Sequence, residues 1–373
     1  MLEVQKYLLS GHTVAELQDW LKLKVAYSKS LPLMILDYSQ TDSPKSHPIV
    51  EECRGLTLHT QTFEVVSKLM NRFHEYGQLA DRMKRFDWSS CIGWDKKDGS
   101  LFRLFHFADR WMIGTRFSFG DHPVDATGIT WEELFLKATG FPNLQIFERV
   151  LDPQKGYAFE LCSLHNKVVQ TYEYPRAFLL SVFKGGLELS DEEADKAAAL
   201  IDVPRPTKYI FRNIGEADAH NSQMSSFDPT YEGLVLKDKN NERWKRHTET
   251  YQALHRMMGG DGVDKTNPYI PRNLLPFVMT GRREFIVAQH PSAAEYFDKA
   301  QKKVDQAFKN LYLTWQECHA IKDQKTFAQA VTERTRFSGI LFRLRREKGD
   351  AQTTEDLKKA WMESEDLILK VVF

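Results

Sequence analysis

The run Lys96-Lys97-Asp98-Gly99-Ser100 has the residue types of a covalent nucleophile. A lysine amine can attack the α-phosphate of ATP and take up AMP, provided it has lost its proton. With an ordinary pKa of ~10.4 it is ammonium at neutral pH, so the site must lower that value by nearby positive charge, metal included, or by desolvation. A tight Asp-Gly turn follows, and then the alternating segment Leu101–Phe107, which reads as a strand and holds the lysine at a pocket mouth. In an extended chain Lys96 and Asp98 share a face while Lys97 points away, which favours Lys96 over Lys97 as nucleophile. Taken alone the segment reads as a surface hairpin; four further patches change that reading.

Attack on a triphosphate also requires metal-holding carboxylates and cations that neutralise the phosphates. Glu160 in Ala158-Phe159-Glu160-Leu161 and Glu232 in Tyr231-Glu232-Gly233-Leu234 are acids flanked by apolar strand residues. Burying such an acid is costly unless a cation or metal meets it. Each alone fits a strand-end acid or a salt bridge; with Lys96 they make a water-mediated Mg²⁺ holder. The cations are Arg54, Arg72, Arg116 and the group Lys245-Arg246-His247, any one of which alone fits a solvated surface charge.

The elements that must position these groups follow from periodicity. Thr13 and Glu16 have capping-box spacing before a short helix carrying Val14, Leu17 and Leu21. From about residue 31 to 250 the pattern predicts strands, with a hairpin turn at Lys239-Asn240-Asn241 and one interrupting helix opened by Ser190. Gly259-Gly260-Asp261-Gly262, followed by Pro268, Pro271 and Pro276, reads as a domain boundary. Beyond it apolar residues recur at three- and four-residue steps from Ala293 to His319, with further helices near 326–336 and 354–363. The expected fold class is α+β: a sheet-rich domain over 1–257, then an all-α domain over 258–373. The 373 residues hold 51 basic and 51 acidic side chains, so no global field points to nucleic acid, although a local patch could. Cys53, Cys91, Cys162 and Cys318 lack zinc or disulfide spacing, and neither an export signal nor a membrane-length apolar run is evident. A cytoplasmic protein, in the host cytoplasm if phage-encoded, is the expectation.

These patches together resemble the covalent nucleotidyltransferases, the superfamily of RNA ligases, DNA ligases and capping enzymes, and more closely the RNA ligase 1 family of T-even bacteriophages. Lys96-x-Asp98-Gly99-Ser100 is similar to the nucleotidyl-lysine motif, Glu52-Cys53-Arg54-Gly55 to the upstream arginine element, and Met70-Asn71-Arg72-Phe73 to the lysine-phenylalanine segment. Phe159-Glu160-Leu161 with Asn166-Lys167-Val168-Val169 resembles motif III, Tyr231 to Val235 motif IV, and Lys245 to His255 motif V with its helix. The likeness extends over nearly the whole chain, including a helical C-terminal domain where DNA ligases and capping enzymes have an OB-like barrel. It implies an ATP-grasp-like nucleotidyltransferase domain of antiparallel sheets and a C-terminal domain specific for RNA or tRNA.

The resemblance implies ATP-dependent joining of RNA 5′-phosphate and 3′-hydroxyl ends through lysyl-AMP on Lys96 and an RNA-adenylate, in tRNA repair. Glu160 and Glu232 would hold Mg²⁺, with Mn²⁺ as a substitute. Tyr38, Arg54, Arg72, Asp98, Gly99, Arg116, Lys245 and His247 would line the nucleotide site, with Leu234 or Val235 on the adenine face. The partner would be single-stranded or broken RNA; no membrane or protein partner is implied. Two departures stand out. His247 occupies the place of a second motif V lysine, leaving a raised histidine pKa or Arg246 to supply the charge, and Arg116 replaces another lysine. No match to the acidic metal ligand expected after motif V is found. The competing readings are another nucleotidyltransferase, namely a DNA ligase or capping enzyme, and an RNA-binding relative that has lost catalysis. The cluster Arg334, Arg336, Arg343, Arg345, Arg346 and Lys348 reads either as an RNA contact or as an exposed helix face.

Overall fold

A computed structural model describes residues 1–258, 268–349 and 351–373. The chain divides into two compact units, Met1–Thr248 and Glu249–Phe373. The helix Glu249–Met257 therefore falls in the second unit, and the boundary read from sequence lies at its C-terminal end. The glycine run 259–262 lies outside the described residues.

The first unit contains fourteen strands. In chain order they are β1 (Leu23–Tyr27), β2 (Leu33–Tyr38), β3 (Leu56–His59), β4 (Val65–Ser67), β5 (His74–Glu75), β6 (Ile92–Asp95) and β7 (Ser100–Phe107). Then come β8 (Arg110–Thr115), β9 (Gly156–Cys162), β10 (Arg176–Lys184), β11 (Leu187–Glu188), β12 (Lys208–Ile210), β13 (Gly233–Lys237) and β14 (Arg243–His247). They form three sheets, ordered β1-β2-β3-β4, β11-β10-β9-β7-β8 and β12-β6-β13-β14-β5. Pairing is antiparallel except between β14 and β5. The sheet-rich first part and the helical second part are as the residue pattern predicts, and the antiparallel pairing is as the resemblance implies.

Each sheet has its own apolar core. In the first, Val4, Leu8, Leu17 and Leu21 of two short helices cover Met34 and Leu36, and Thr13 accepts from the Glu16 amide as its spacing predicts. In the second, Phe102, Phe159 and Tyr157 pack on Leu134 and Phe135 of the helix Trp131–Thr139. In the third, Leu234, Leu236 and Trp244 pack with Phe86, Phe211 and Ala217. A smaller cluster of Leu69, Met70, Phe73, Ala158 and Phe183, joined by Leu101 and Val235, brings the second and third sheets together.

Two expectations need correction. Several helices, not one, interrupt the strands, including Trp131–Thr139 and Ile214–Phe227. Pro271 and Pro276 also lie within the helix Pro271–Met279. Pro271 occupies its first turn, where an amide hydrogen has no intrahelical acceptor in any case.

Candidate active site

Lys96 lies where the chain leaves the third sheet for the second. Its amide donates to Gly233 O at 2.8 Å, tying it beside the start of β13. Lys96–Gly99 then crosses to β7, and Gly99 passes flush against β9: a Cβ there would meet Leu161 O at 2.4 Å and Cys162 Sγ at 2.8 Å. Gly99 is not among the residues with positive φ, so close approach explains it and a tight left-handed turn does not. Asp98 is buried, and its Oδ2 accepts from the amides of Val169 and Gln170 at 2.7 and 2.6 Å. It anchors the loop after β9 to the lysine segment, a framework role that the sequence did not predict. Asn166 adds a second tie, donating to Ser100 Oγ at 2.9 Å and Leu161 O at 2.6 Å.

Around Lys96 the carboxylates converge. Its Nζ pairs with Glu232 Oε1, which also faces His247 Nε2 at 3.4 Å. Burial favours the neutral amine, but Glu232, Glu160 and Asp98 outweigh it and hold the Lys96 pKa above its ordinary value. Lys96 therefore rests as a clamped ammonium, opposite to the lowered pKa expected from the sequence. Burial pushes Glu160 up to about 8, with Lys96 opposing and Glu232 reinforcing the shift. Lys97 does not point away: its Nζ lies 3.2 Å from Asp95 and 5.1 Å from the Phe178 ring centroid, within the same cleft.

The other wall is cationic. Arg54 and Lys245 lie over the Phe73 ring at 5.2 and 5.5 Å, and Arg72 and Arg116 each lie 5.4 Å from the Tyr38 ring centroid. Arg116 Nε pairs with buried Asp37 at 2.8 Å. Buried Arg54 Nη1 and Arg72 Nε have no hydrogen-bond partner. Burial pulls Lys245 down to about 7, helped by repulsion from Arg54, Lys96 and Arg72. Cations held this close, against their own repulsion, leave a place for a polyanion.

Alternation along the hairpin decides which residues face the cleft. Val235 pairs with Trp94 and Lys245 across the third sheet, and Val235 and Trp94 both line the cavity. Leu234 is fully buried on the opposite face with Trp244, so of the two residues Val235 is the one that faces the cleft. Arg246 shares that opposite face, where its guanidinium pairs with Asp218 at 2.6 Å, and it does not stand in for His247. His247 faces inward with Glu75 Oε2 at 2.7 Å from Nδ1; burial opposes its charge, but Glu232 and Glu75 raise its pKa. The charge departure is thus met by carboxylates. Glu75, Trp94 and Asp37 join the site without having stood out in the sequence. Asp37 and Trp94 look like ordinary members of strands, and only the parallel β5–β14 pairing brings Glu75 to His247.

The carboxylates suit a hard divalent cation. Glu232 Oε2 is buried without a partner, and the Glu160 carboxylate makes no side-chain hydrogen bond or ion pair among the described residues. Two carboxylates with phosphate oxygens and waters are a usual Mg²⁺ environment. No group of three potential ligand side chains occurs among the described residues, so the pair would rely on those other oxygens.

No family model matches the chain. It is 27% identical over 308 residues to a protein of Autographa californica nuclear polyhedrosis virus assigned as a bifunctional polynucleotide kinase/RNA ligase. The match takes in 78% of this chain and 42% of the viral protein, so the chain spans less than half of that relative. Among solved structures, a protein of Aquifex aeolicus assigned as an ATP-dependent DNA ligase aligns with a TM-score of 0.48 and 14% identity, covering 87% of this chain and 88% of the other. An archaeal ATP-dependent RNA ligase aligns at 0.43 and 12%, covering 79% and 78%. A Naegleria gruberi RNA ligase aligns at 0.36 and 12%, covering 50% and 57%. The chain is similar, over most of its length, to a viral protein whose assignment includes RNA ligase.

Proposed function

We propose that the chain is an ATP-dependent RNA ligase of the covalent nucleotidyltransferase superfamily, of the T-even RNA ligase 1 type, that joins 5′-phosphate to 3′-hydroxyl ends. The observation that carries this reading is the position of Lys96 between two carboxylates and a wall of half-buried cations, of which Arg54 and Arg72 each have a buried nitrogen without a partner. Lys96 Nζ attacks the α-phosphorus of ATP; the N–P bond forms as the bond to pyrophosphate breaks. Glu232 holds Nζ as the ammonium at rest, and the proton that must leave before attack passes to water once ATP is bound and that pair is loosened. Arg54, Arg72, Arg116 and Lys245 neutralise the phosphates. AMP then passes to the RNA 5′-phosphate, and a 3′-hydroxyl displaces it. Glu160 and Glu232 would hold Mg²⁺, or Mn²⁺ in its place, and the bound metal supplies positive charge at the phosphoryl oxygens. The similarity to the viral protein supports RNA as the polynucleotide, and tRNA broken in a loop is the substrate the resemblance favours.

The test is incubation with α-³²P-ATP and Mg²⁺ beside Lys96→Ala and Lys97→Ala, followed by a denaturing gel and by sealing of matched RNA and DNA strands. Label on wild type and Lys97→Ala, but not on Lys96→Ala, with RNA sealed in preference to DNA, is expected. Folded wild type that neither takes up label nor arrives already adenylated by mass would end the ligase reading.

A further inference from the structure

Arg103 of β7 is fully buried, yet no carboxylate lies within ion-pair distance of it among the described residues. Its Nη1 donates to Gly55 O at 2.5 Å and its Nη2 reaches Ser118 O at 3.5 Å, while its Nε has no partner. Burial pulls its pKa down to about 9, and the acid that acts on it, Asp37, is already paired with Arg116. An unpaired cation in a protein interior is a cost to stability that an apolar side chain of similar volume would avoid. What Arg103 reaches explains its presence. Gly55 directly follows Arg54, and Ser118 lies two residues beyond Arg116. These two segments touch backbone to backbone: Gly55 has φ +69°, and a Cβ on it would lie 2.7 Å from Arg116 O. Gly114 makes room for the guanidinium, since a Cβ there would come within 2.9 Å of Arg103 Nε.

We propose that Arg103 is the positioning residue that locks the Arg54 and Arg116 segments together, and so sets the spacing of the cations that grip the ATP phosphates. It touches no reacting atom; its effect passes through Arg54 and Arg116. The inference rests on the ligase reading and deepens it. It predicts a split between affinity and chemistry. With Arg103→Met the KM for ATP in lysyl-AMP formation rises about 10- to 100-fold, as for the loss of one or two charge-assisted hydrogen bonds. The rate at saturating ATP stays within about threefold of wild type, because Lys96 and its carboxylates are untouched. Arg103→Lys, which retains charge and a donor, recovers part of the affinity.

The decisive measurement is a double-mutant cycle of Arg103→Met with Arg116→Ala on KM for ATP, with melting temperatures recorded for every variant. The combined variant is expected to be little worse than Arg116→Ala alone. Full additivity of the two losses, an unchanged KM in folded Arg103→Met, or a fall confined to the saturated rate would each overturn the proposal. If Arg103→Met fails to fold, Arg103→Lys carries the same cycle. A wild type that never takes up AMP refutes the ligase reading, a result distinct from any of these.

Discussion

At the scale of single residues, the titrating groups of the cleft make predictions of opposite sign. Glu160 has an ordinary pKa of 4.5 and is raised to about 8 by burial. A raised carboxyl pKa means that the folded protein keeps a proton that the unfolded chain releases. Stability from Glu160 is therefore present at low pH and is lost as pH rises from about 4.5 through 8. Glu160→Gln cannot ionise, so metal-free Glu160→Gln should melt about 2 °C or more above wild type at pH 9. Near pH 4 the two should melt together, and equal melting at both pH values would show that burial does not govern this group. Lys245 is displaced the other way, to about 7. Its ammonium is the form that meets phosphate, so without divalent metal ATP binding should take up a proton above pH 7, and affinity should fall up to about tenfold per pH unit. Lys245→Arg should flatten that slope, and Lys245→Met should bind weakly at every pH; calorimetry in buffers of different ionisation enthalpy reads the proton directly.

At the scale of elements, the crossing Lys96–Gly99 is where local sequence and tertiary packing meet. Gly99→Ala forces a methyl against Leu161 O and must displace the crossing or β9. A shift of ~1 Å at the nucleophile can cost about 10²-fold in rate, so AMP uptake by Gly99→Ala should fall by about that factor, read by gel labelling on protein checked for folding. The same segment shows what sequence can and cannot reveal. Glu160 is legible because a charge inside the apolar strand β9 stands out against its neighbours, and Lys96 and Glu232 because each stands just ahead of an apolar strand, β7 and β13. Alternation along β13 and β14 also carries the choice between Val235 and Leu234, once the register of the hairpin is known. The roles of Asp98 and Gly99 are not legible, since both depend on Val169, Gln170 and Leu161, more than sixty residues later and brought alongside only by pairing of β7 with β9. Among the helices, Trp131–Thr139 carries a readable capping box in Thr130 and Glu133. Ile214–Phe227 buries only Ala217 and Asn221, so it has no apolar stripe to announce it.

At the scale of the whole molecule, the helical unit divides the basic cluster of the sequence into two kinds of cation. Arg345 donates to Ile321 O at 2.6 Å and Lys322 O at 2.8 Å and lies 4.2 Å from the Phe327 ring centroid, fastening the turn after the helix Ala294–Cys318. Arg343 donates to Ala360 O at 2.8 Å, and Lys348 pairs with Asp356 at 3.1 Å. Arg343 and Arg345 are thus committed to the fold, and Lys348 to a surface ion pair. Arg336, by contrast, joins Lys302 and Lys303 around a groove that also presents Gln306, Asn310 and Arg334, the last paired with Glu317 at 3.2 Å, and has no carboxylate in its lining. Amides and cations without acids suit a phosphodiester backbone, so under the ligase reading this groove, not the Arg343–Lys348 end, meets RNA. Arg345→Met should lower the melting temperature while RNA affinity per folded molecule is kept. The triple change Lys302→Ala, Lys303→Ala and Arg336→Ala should leave melting and AMP uptake unaltered. It should weaken binding of 5′-phosphorylated single-stranded RNA and reduce the slope of log affinity against log salt by about 2, at ~0.7 for each phosphate no longer neutralised. An unchanged slope in the triple variant, measured by fluorescence anisotropy between low and moderate salt, would remove RNA from this groove.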